Sequence, residues 1–295
     1  HVGTDRLPQA VASIREEILR LGGQVRFGAR LTGIETQDGA LRAIRYIERG
    51  QEQELPCEQL ILAVGHSARD TFRMLYDAGV AMEQKPFSVG VRIEHPQSLI
   101  NRAQYGAAAG SPYLGAAEYK LHAKLPDGRG VYSFCMCPGG QVIAAASEAG
   151  GVCTNGMSVY ARDGQNANSA LLVDVRTQDF PDAHPLSGLT LQRQWERAAF
   201  AAGGGDYRAP AQRVEDFLHD RASRALGDVT PTYRPGVTMA DLRAVLPAYA
   251  AAGLKGSIQI FARQLRGFDH PDAVLTGVEA RSSSPLRIPR DEGLQ

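Results

Sequence analysis

The sequence predicts a mixed fold, α/β in one part and α+β in another, with the second part inserted into the first. Three observations predict it. An amphipathic helix followed by three strand-like runs occupies the first eighty residues. A region of strands and then helices follows, from about residue 86 to residue 271. A last apolar run, residues 273–278, reads as a strand leading back to the first part. Interleaved strand and helix periods mark the first class, and their segregation marks the second.

In the first part, Thr4 or Asp5 is placed to cap a helix whose first turn holds Pro8, a position where proline is tolerated. Leu7, Val11, Ile14, Ile18 and Leu21 recur at helical spacing and form one apolar stripe. Gly22-Gly23 stops the helix. Strands are expected at 24–34, 40–48 and 59–64, the first two joined by an Asp38-Gly39 hairpin turn. The third is a buried-type apolar run that ends in Ala63-Val64-Gly65. Small residues there let backbone approach a ligand with no side chain in the way. Ser67 then opens a helix with Asp70 as its capping partner, and Gly79 ends the unit.

In the inserted part, strands are expected at 88–94, at 131–136 and 141–147 joined through Pro138-Gly139-Gly140, and at 169–175. Helices are expected at 189–202, 214–225, 239–252 and 256–265, separated by the loops Gly203-Gly204-Gly205 and 231–236. The domain boundaries that follow are 1–85 with 272–295 for the first part, and 86–271 for the inserted one.

With 295 residues the chain is long enough for one large domain or two medium ones. Lysine plus arginine equals aspartate plus glutamate, 32 each, so no net field draws it to nucleic acid or an anionic membrane. No apolar run approaches the roughly 20 residues of a membrane span. Four cysteines are too few for a secreted disulfide framework, which makes the cytoplasm the expected location. The expected partner is a small-molecule substrate, and the composition leaves the oligomeric state open.

Several residues bear on chemistry. Cys135-x-Cys137 precedes a Pro-Gly-Gly turn, and on a regular strand both thiols would face one side. Such a pair can pass electrons, or with Cys153 hold a soft metal. The spacing counts against both, because redox dithiols and zinc knuckles use at least two intervening residues. Free cysteine is also commonly buried, so structural burial is the favoured reading. The runs Thr154-Asn155-Gly156-Met157-Ser158 and 162–168 are dense in amides with one guanidinium, Arg162. They suit either a polar ligand or an ordinary turn-rich loop. Arg281 before three serines is placed either to clamp an anion or to pair with a carboxylate. His66 follows the Gly65 stop and would donate to a phosphate at the helix start, or serve as a solvated cap. No His-Glu-x-x-His occurs, and Gly65-His66-Ser67-Ala68-Arg69 has arginine where a nucleophile elbow needs glycine.

Six segments taken together carry a resemblance. They are His1-Val2-Gly3-Thr4-Asp5, Phe134-Cys135-Met136-Cys137-Pro138-Gly139-Gly140, Thr154 to Ser158, Ala161-Arg162-Asp163-Gly164, Asn166-Ala167-Asn168-Ser169-Ala170, and Ser284-Pro285-Leu286-Arg287-Ile288-Pro289-Arg290-Asp291. The chain resembles the uncharacterised FAD-dependent dehydrogenase family of bacteria, a branch of the glutathione-reductase-like flavoproteins. The resemblance implies a partial FAD/NAD(P)-binding domain, the helix plus β-meander, with an inserted mixed α+β domain for substrate. It implies FAD as cofactor, NAD(P)H as a candidate electron donor, and hydride transfer between a substrate and flavin. It places Val25, Ala63, Val64, Gly65 and His66 against the dinucleotide, and Asn155, Arg162, Asn168 and Arg281 in a flavin or substrate pocket. The family's Gly-x-Gly-x-x-Gly turn, which seats a pyrophosphate on a helix N-terminus, has no match here. The chain is therefore expected to be an internal fragment of a longer flavoenzyme, inactive alone. The alternatives are a non-catalytic flavoprotein-like binding module, or a thiol or metal protein built on Cys135, Cys137 and Cys153.

Overall fold

The computed structural model describes residues 2–290. Along the chain the elements run α1 (Leu7–Arg20), β1 (Ala29–Gln37), β2 (Ala40–Glu48), β3 (Gln51–Pro56), α2 (Arg69–Asp77), β4 (Glu83–Gln84), β5 (Phe87–Pro96), α3 (Gln97–Tyr105), β6 (His122–Lys124), β7 (Gly130–Cys137), β8 (Gln141–Ala144), β9 (Thr154–Met157), β10 (Asn166–Val175), α4 (Ser187–Gly203), β11 (Ala209–Arg213), α5 (Val214–Leu218), β12 (Val237–Met239), α6 (Ala248–Gln264), β13 (Val274–Glu279) and β14 (Leu286–Arg287). They divide into two compact units. The larger takes the chain up to Leu7, Pro86–Asp179 and Thr190–Ser282. The smaller takes Pro8–Lys85, Phe180–Leu189 and the chain from Ser283 on.

The smaller unit contains the antiparallel meander β1-β2-β3. Its two hairpin turns follow from residues that accept positive φ. Asp38 (φ 53) and Gly39 (φ 77) close the first, and Arg49 (φ 53) and Gly50 (φ 78) the second. A small core gathers Phe72, Leu75, Met82, Leu186, Leu189 and Leu286, with Ile34 of β1 packed against it. Helix α2 ends at Gly79 (φ 87), where the amides of Gly79 and Val80 return to the carbonyls of Tyr76 and Leu75.

Two expectations fail in this unit, and a third fails in the segment before α1 that belongs to the larger one. The third meander strand is β3, not residues 59–64. Residues 57–65 take no regular structure, and Ile61 is 91% exposed. A strand needs a hydrogen-bonded neighbour, and among the described residues none pairs with this run. Strand β3 is exposed throughout and its first four residues are polar, so no apolar alternation announces it. Helix α2 starts at Arg69 rather than Ser67, its N-cap is Ala68, and Asp70 lies in the first turn without capping. Thr4 and Asp5 also do other work. The amide and hydroxyl of Thr4 donate to the Ser158 carbonyl, and Asp5 accepts from the Tyr160 amide at 2.7 Å. The apolar stripe of α1 is present but buries nothing, and all five of its residues are exposed.

The larger unit is built on a seven-stranded mixed sheet ordered β12-β11-β13-β5-β10-β7-β6, antiparallel except for β11 with β12. Strands β5 and β10 lie at its centre and are buried along almost their whole length, on both faces. Helix α6 covers one face with Leu254, Ile258 and Phe261, and the space a Cβ on Gly253 would take is bounded by Val173 of β10. Residues 239–265 were expected as two helices, but α6 is a single helix, entered through Pro247 as N-cap and running through Gly256. The expected helix 214–225 is the short α5. Strands 131–136 and 141–147 do not pair through the Pro-Gly-Gly turn. Strand β7 belongs to the large sheet, while β8 forms a separate hairpin with β9.

On the α6 side, His95 is fully buried and its Nε2 lies 2.7 Å from the Phe268 carbonyl, so Nε2 carries the proton. Nδ1 is buried without a partner. Burial lowers the imidazole from 6.5 to about 4. The neutral form is favoured by folding, so its contribution is complete above the unfolded value and is lost as pH falls from 6.5 toward 4. The loss is about 3 kcal/mol. Denaturant midpoints of the wild type and His95→Phe, measured at pH 7 and at pH 5, are expected to show a weaker acid dependence in the variant.

Candidate functional site

Strand pairing places β5 opposite β10 with Asn168 across from Glu94, and β5 opposite β13 with Thr276 across from Arg92. Paired residues share a face, so Arg92, Glu94, Asn166, Asn168 and Thr276 form a polar stripe on the face away from α6. Arg92 is its hub and is fully buried. Its Nη1 donates to Glu279 Oε2 at 3.2 Å, and its Nε to Asn168 Oδ1 at 3.2 Å. Its Nη2 donates to the Cys135 carbonyl at 2.9 Å, to Asn168 Oδ1, and toward Cys137 Sγ at 3.7 Å. Burial pushes the Glu279 carboxyl above its ordinary value, and the guanidinium beside it pulls the other way. Glu94 is also raised by burial. It accepts from the Thr232 amide and hydroxyl and from Asn166 Nδ2, which fastens the 230–232 loop to the sheet. Neither Arg92 nor Glu279 was anticipated from the sequence. The signal was there in charged residues set inside apolar strand runs, at Val91-Arg92-Ile93-Glu94 and Gly277-Val278-Glu279.

Glycine lets the neighbouring backbone settle onto this stripe. A Cβ on Gly156 of β9 would run into Arg92 Nη2 and Asn168 Oδ1. Gly139, at φ 50, would place a Cβ on the carbonyl of Arg162, itself at φ 53. The amides of this turn are all engaged. Gly139 N donates to Gln97 Oε1 at 2.7 Å, Gly140 N to the Asn166 carbonyl at 2.9 Å, and Gly164 N to the Gly139 carbonyl at 3.1 Å. Ser158 Oγ donates to the Pro138 carbonyl at 2.9 Å. Arg6 lies 3.4 Å over the Tyr160 ring. Five of the six segments that carry the family resemblance, the first through Gly3-Thr4-Asp5, thus meet around one turn.

One thiol of the pair, Cys135, departs from the expectation of burial. Cys137 and Cys153 are buried, but Cys135 is exposed and sits at φ 43. The pairing of β7 with β10 slips there: Cys137 faces Asn168 and Phe134 faces Ala170, leaving Cys135 and Met136 opposite Ser169 alone. This is a β-bulge, and it breaks the alternation that would have aimed both thiols the same way. Burial raises both thiols, with Arg92 opposing it. Cys153 is pushed up to about 12 by burial and by Glu196. Among the described residues no group of three or more histidine, cysteine or acidic side chains is placed to hold a metal ion.

The four residues expected to line a pocket engage four different sets of partners. Asn155 is exposed and its Oδ1 accepts from the Gly156 amide at 2.7 Å. Arg162 pairs with Glu118 at the surface. Asn168 is fully buried against Arg92. Arg281 is buried and grips Glu196 with Nε and Nη2, both at 2.6 Å, while Nη1 reaches Ser147. In the smaller unit, Ala63, Val64, Gly65 and His66 are all exposed, and Val25 lies at the boundary of exposure. Gly65 is at φ 74 with open space where a Cβ would stand. His66 Nδ1 lies 3.0 Å from Ser67 Oγ. This stretch of backbone belongs to no sheet and is exposed.

Residues 86–282 match the family described as FAD-dependent protein, C-terminal domain-like. The chain belongs to this family. The family's matched region covers the whole of the β5–β13 sheet, with the Arg92 stripe and the glycine turn. The chain is also 50% identical over 298 residues to an uncharacterized protein of Clostridium beijerinckii, across 100% of this chain and 55% of that protein. It thus spans about half the length of the curated relative it matches. No helix among the described residues is long and apolar enough to cross a membrane.

Proposed function

We propose that this chain is part of an FAD-dependent oxidoreductase and acts on a small-molecule substrate. The observation that carries the reading is the exposed run Ala63-Val64-Gly65, which joins no sheet, in a member of an FAD-dependent family. When bound, the flavin would accept or deliver a hydride, with NAD(P)H as the candidate partner. The backbone of Val25, Ala63, Val64 and Gly65 would meet the adenosine and pyrophosphate, and His66 would donate to a phosphate near the start of α2. The exposed apolar groups of the same unit support a partial dinucleotide-binding domain. Ile61, Leu62 and Val64, with the α1 stripe, are the side chains a complete domain would cover. In the larger unit, Asn155 and Arg162 would present polar groups to the substrate. Asn168 and Arg281, both buried, would hold Arg92 and Glu196 in place.

The test uses a protein extended to the length of its relative. Gly65→Val is expected to lower the flavin-to-protein ratio after purification, because a branched side chain enters the open space at a positive φ. The steric cost is roughly 1–3 kcal/mol, a several-fold loss of affinity or more. Flavin content equal to wild type would remove the Ala63–His66 contact from the account.

A further inference from the structure

We propose that the cleft between α6 and the chain following α5 binds a short-chain monocarboxylate, its carboxylate shared by Lys255 and Arg243 and its apolar tail laid on α6. The cleft encloses about 410 Å³, the size of a small-ligand site. Its floor is apolar. Ala248, Ala251, Ala252 and Lys255 fall on one face of α6, and the small side chains among them leave a hollow beside the buried ring of Phe217.

The rim is cationic. Lys255 and Arg243 line the cleft with a single carboxylate, Asp220, between them. Lys255 Nζ donates to Asp220 Oδ2 at 2.5 Å, and its remaining protons have no acceptor among the described residues. Arg243 spends Nε and Nη2 on Asp241 and on the Asp220 carbonyl, while Nη1 stands 3.4 Å from Asp220 Oδ1. Helix α6 begins at Ala248 in the same cleft. No side chain caps it, and its first turn carries no acidic residue. Two cations and a helix N-terminus together favour an anion there.

Asp220 shows which anion fits. A carboxylate of the chain itself already sits on both cations, held at φ 55 in the left-handed region. Asp220 is exposed, so a carboxylate from solvent competes with it directly. The apolar floor beside the cations then takes the tail. An ammonium on the same tail would meet like charge. Helix α6 covers the face of the sheet opposite the Arg92 stripe, and nothing in the flavin reading uses this cleft, so the two stand or fall separately.

Butyrate, acetate and n-butylammonium are titrated into the protein extended to the length of its relative, with binding read by ligand-detected NMR. Butyrate is expected to saturate in the millimolar range and n-butylammonium not to bind. Acetate is expected to bind roughly tenfold more weakly than butyrate, since it lacks the methylenes that the floor would bury. Ala252→Leu fills the hollow without changing a charge and is expected to abolish butyrate binding. Lys255→Met is expected to weaken it roughly tenfold through loss of a charge-assisted bond. Asp220→Asn suits the left-handed backbone, removes the competing carboxylate and is expected to tighten butyrate several-fold. No saturable butyrate binding, acetate as tight as butyrate, unchanged affinity in Ala252→Leu, or weaker binding to Asp220→Asn would overturn the proposal. If a variant fails to fold, as judged by Trp195 fluorescence, the wild-type series decides: butyrate ahead of acetate with no binding of the ammonium supports the site, and any other order refutes it.

Discussion

Arg92→Met is expected to lower the unfolding free energy by about 3–5 kcal/mol, the cost of leaving a buried carboxylate without its cation. Glu279 is the group left behind, and Asn168 Oδ1 and the Cys135 carbonyl lose their donor as well. The double variant Arg92→Met, Glu279→Gln is expected to recover part of the loss, since a neutral amide needs no buried counter-charge. Urea unfolding of the wild type, both single variants and the double variant completes the cycle. Additive losses would show that the pair is not coupled.

Gly139→Ala is expected to be of similar size, roughly 2–5 kcal/mol. The new methyl meets the backbone carbonyl of Arg162, which has no flexible end to move aside, and it must do so at φ 50. Gly164 and Gly140 are hydrogen-bonded to the same turn, so displacement spreads to β10 through the Asn166 carbonyl. A comparison variant, Gly110→Ala, stands in open space with no positive φ and is expected to change stability little. Equal midpoints for Gly139→Ala and Gly110→Ala would count against the close backbone packing described around this turn.

Most of the regular elements were legible in the sequence, because their side chains carry the period of the structure they form. Strand β2 lies at the expected residues 40–48 with its Asp38-Gly39 turn, and β5, β7, β10 and β13 fall within a few residues of their apolar runs. The failures have a common physical origin. Residues 59–64 have the composition of a strand, but composition supplies no partner, and strands exist only as pairs. Strand β3 has partners without the composition. Gly256 is compatible with a helix when neighbouring turns are held by burial, so α6 runs through it. Thr4 and Asp5 have the chemistry of caps, but they bond residues more than 150 positions away.

The site was legible in its motifs and less so in its connections. The segments around Cys135, Asn155, Arg162 and Asn168 were singled out, and the structure joins their backbones around Gly139 and Gly156. Their common anchor, Arg92, was missed because a single charged residue in a strand carries no motif. Cys137 is buried as its residue type suggests, but the exposure of Cys135 escapes periodicity, because one inserted residue separates it from the face of Cys137.

The absorption spectrum of the extended protein reads out whether this chain contributes to a flavin site. A protein extended to the length of the Clostridium beijerinckii relative is incubated with FAD, freed of unbound cofactor by gel filtration, and scanned through the visible range. A yellow protein with flavin bands and close to one FAD per chain is expected. A folded, colourless protein with no retained FAD would contradict it.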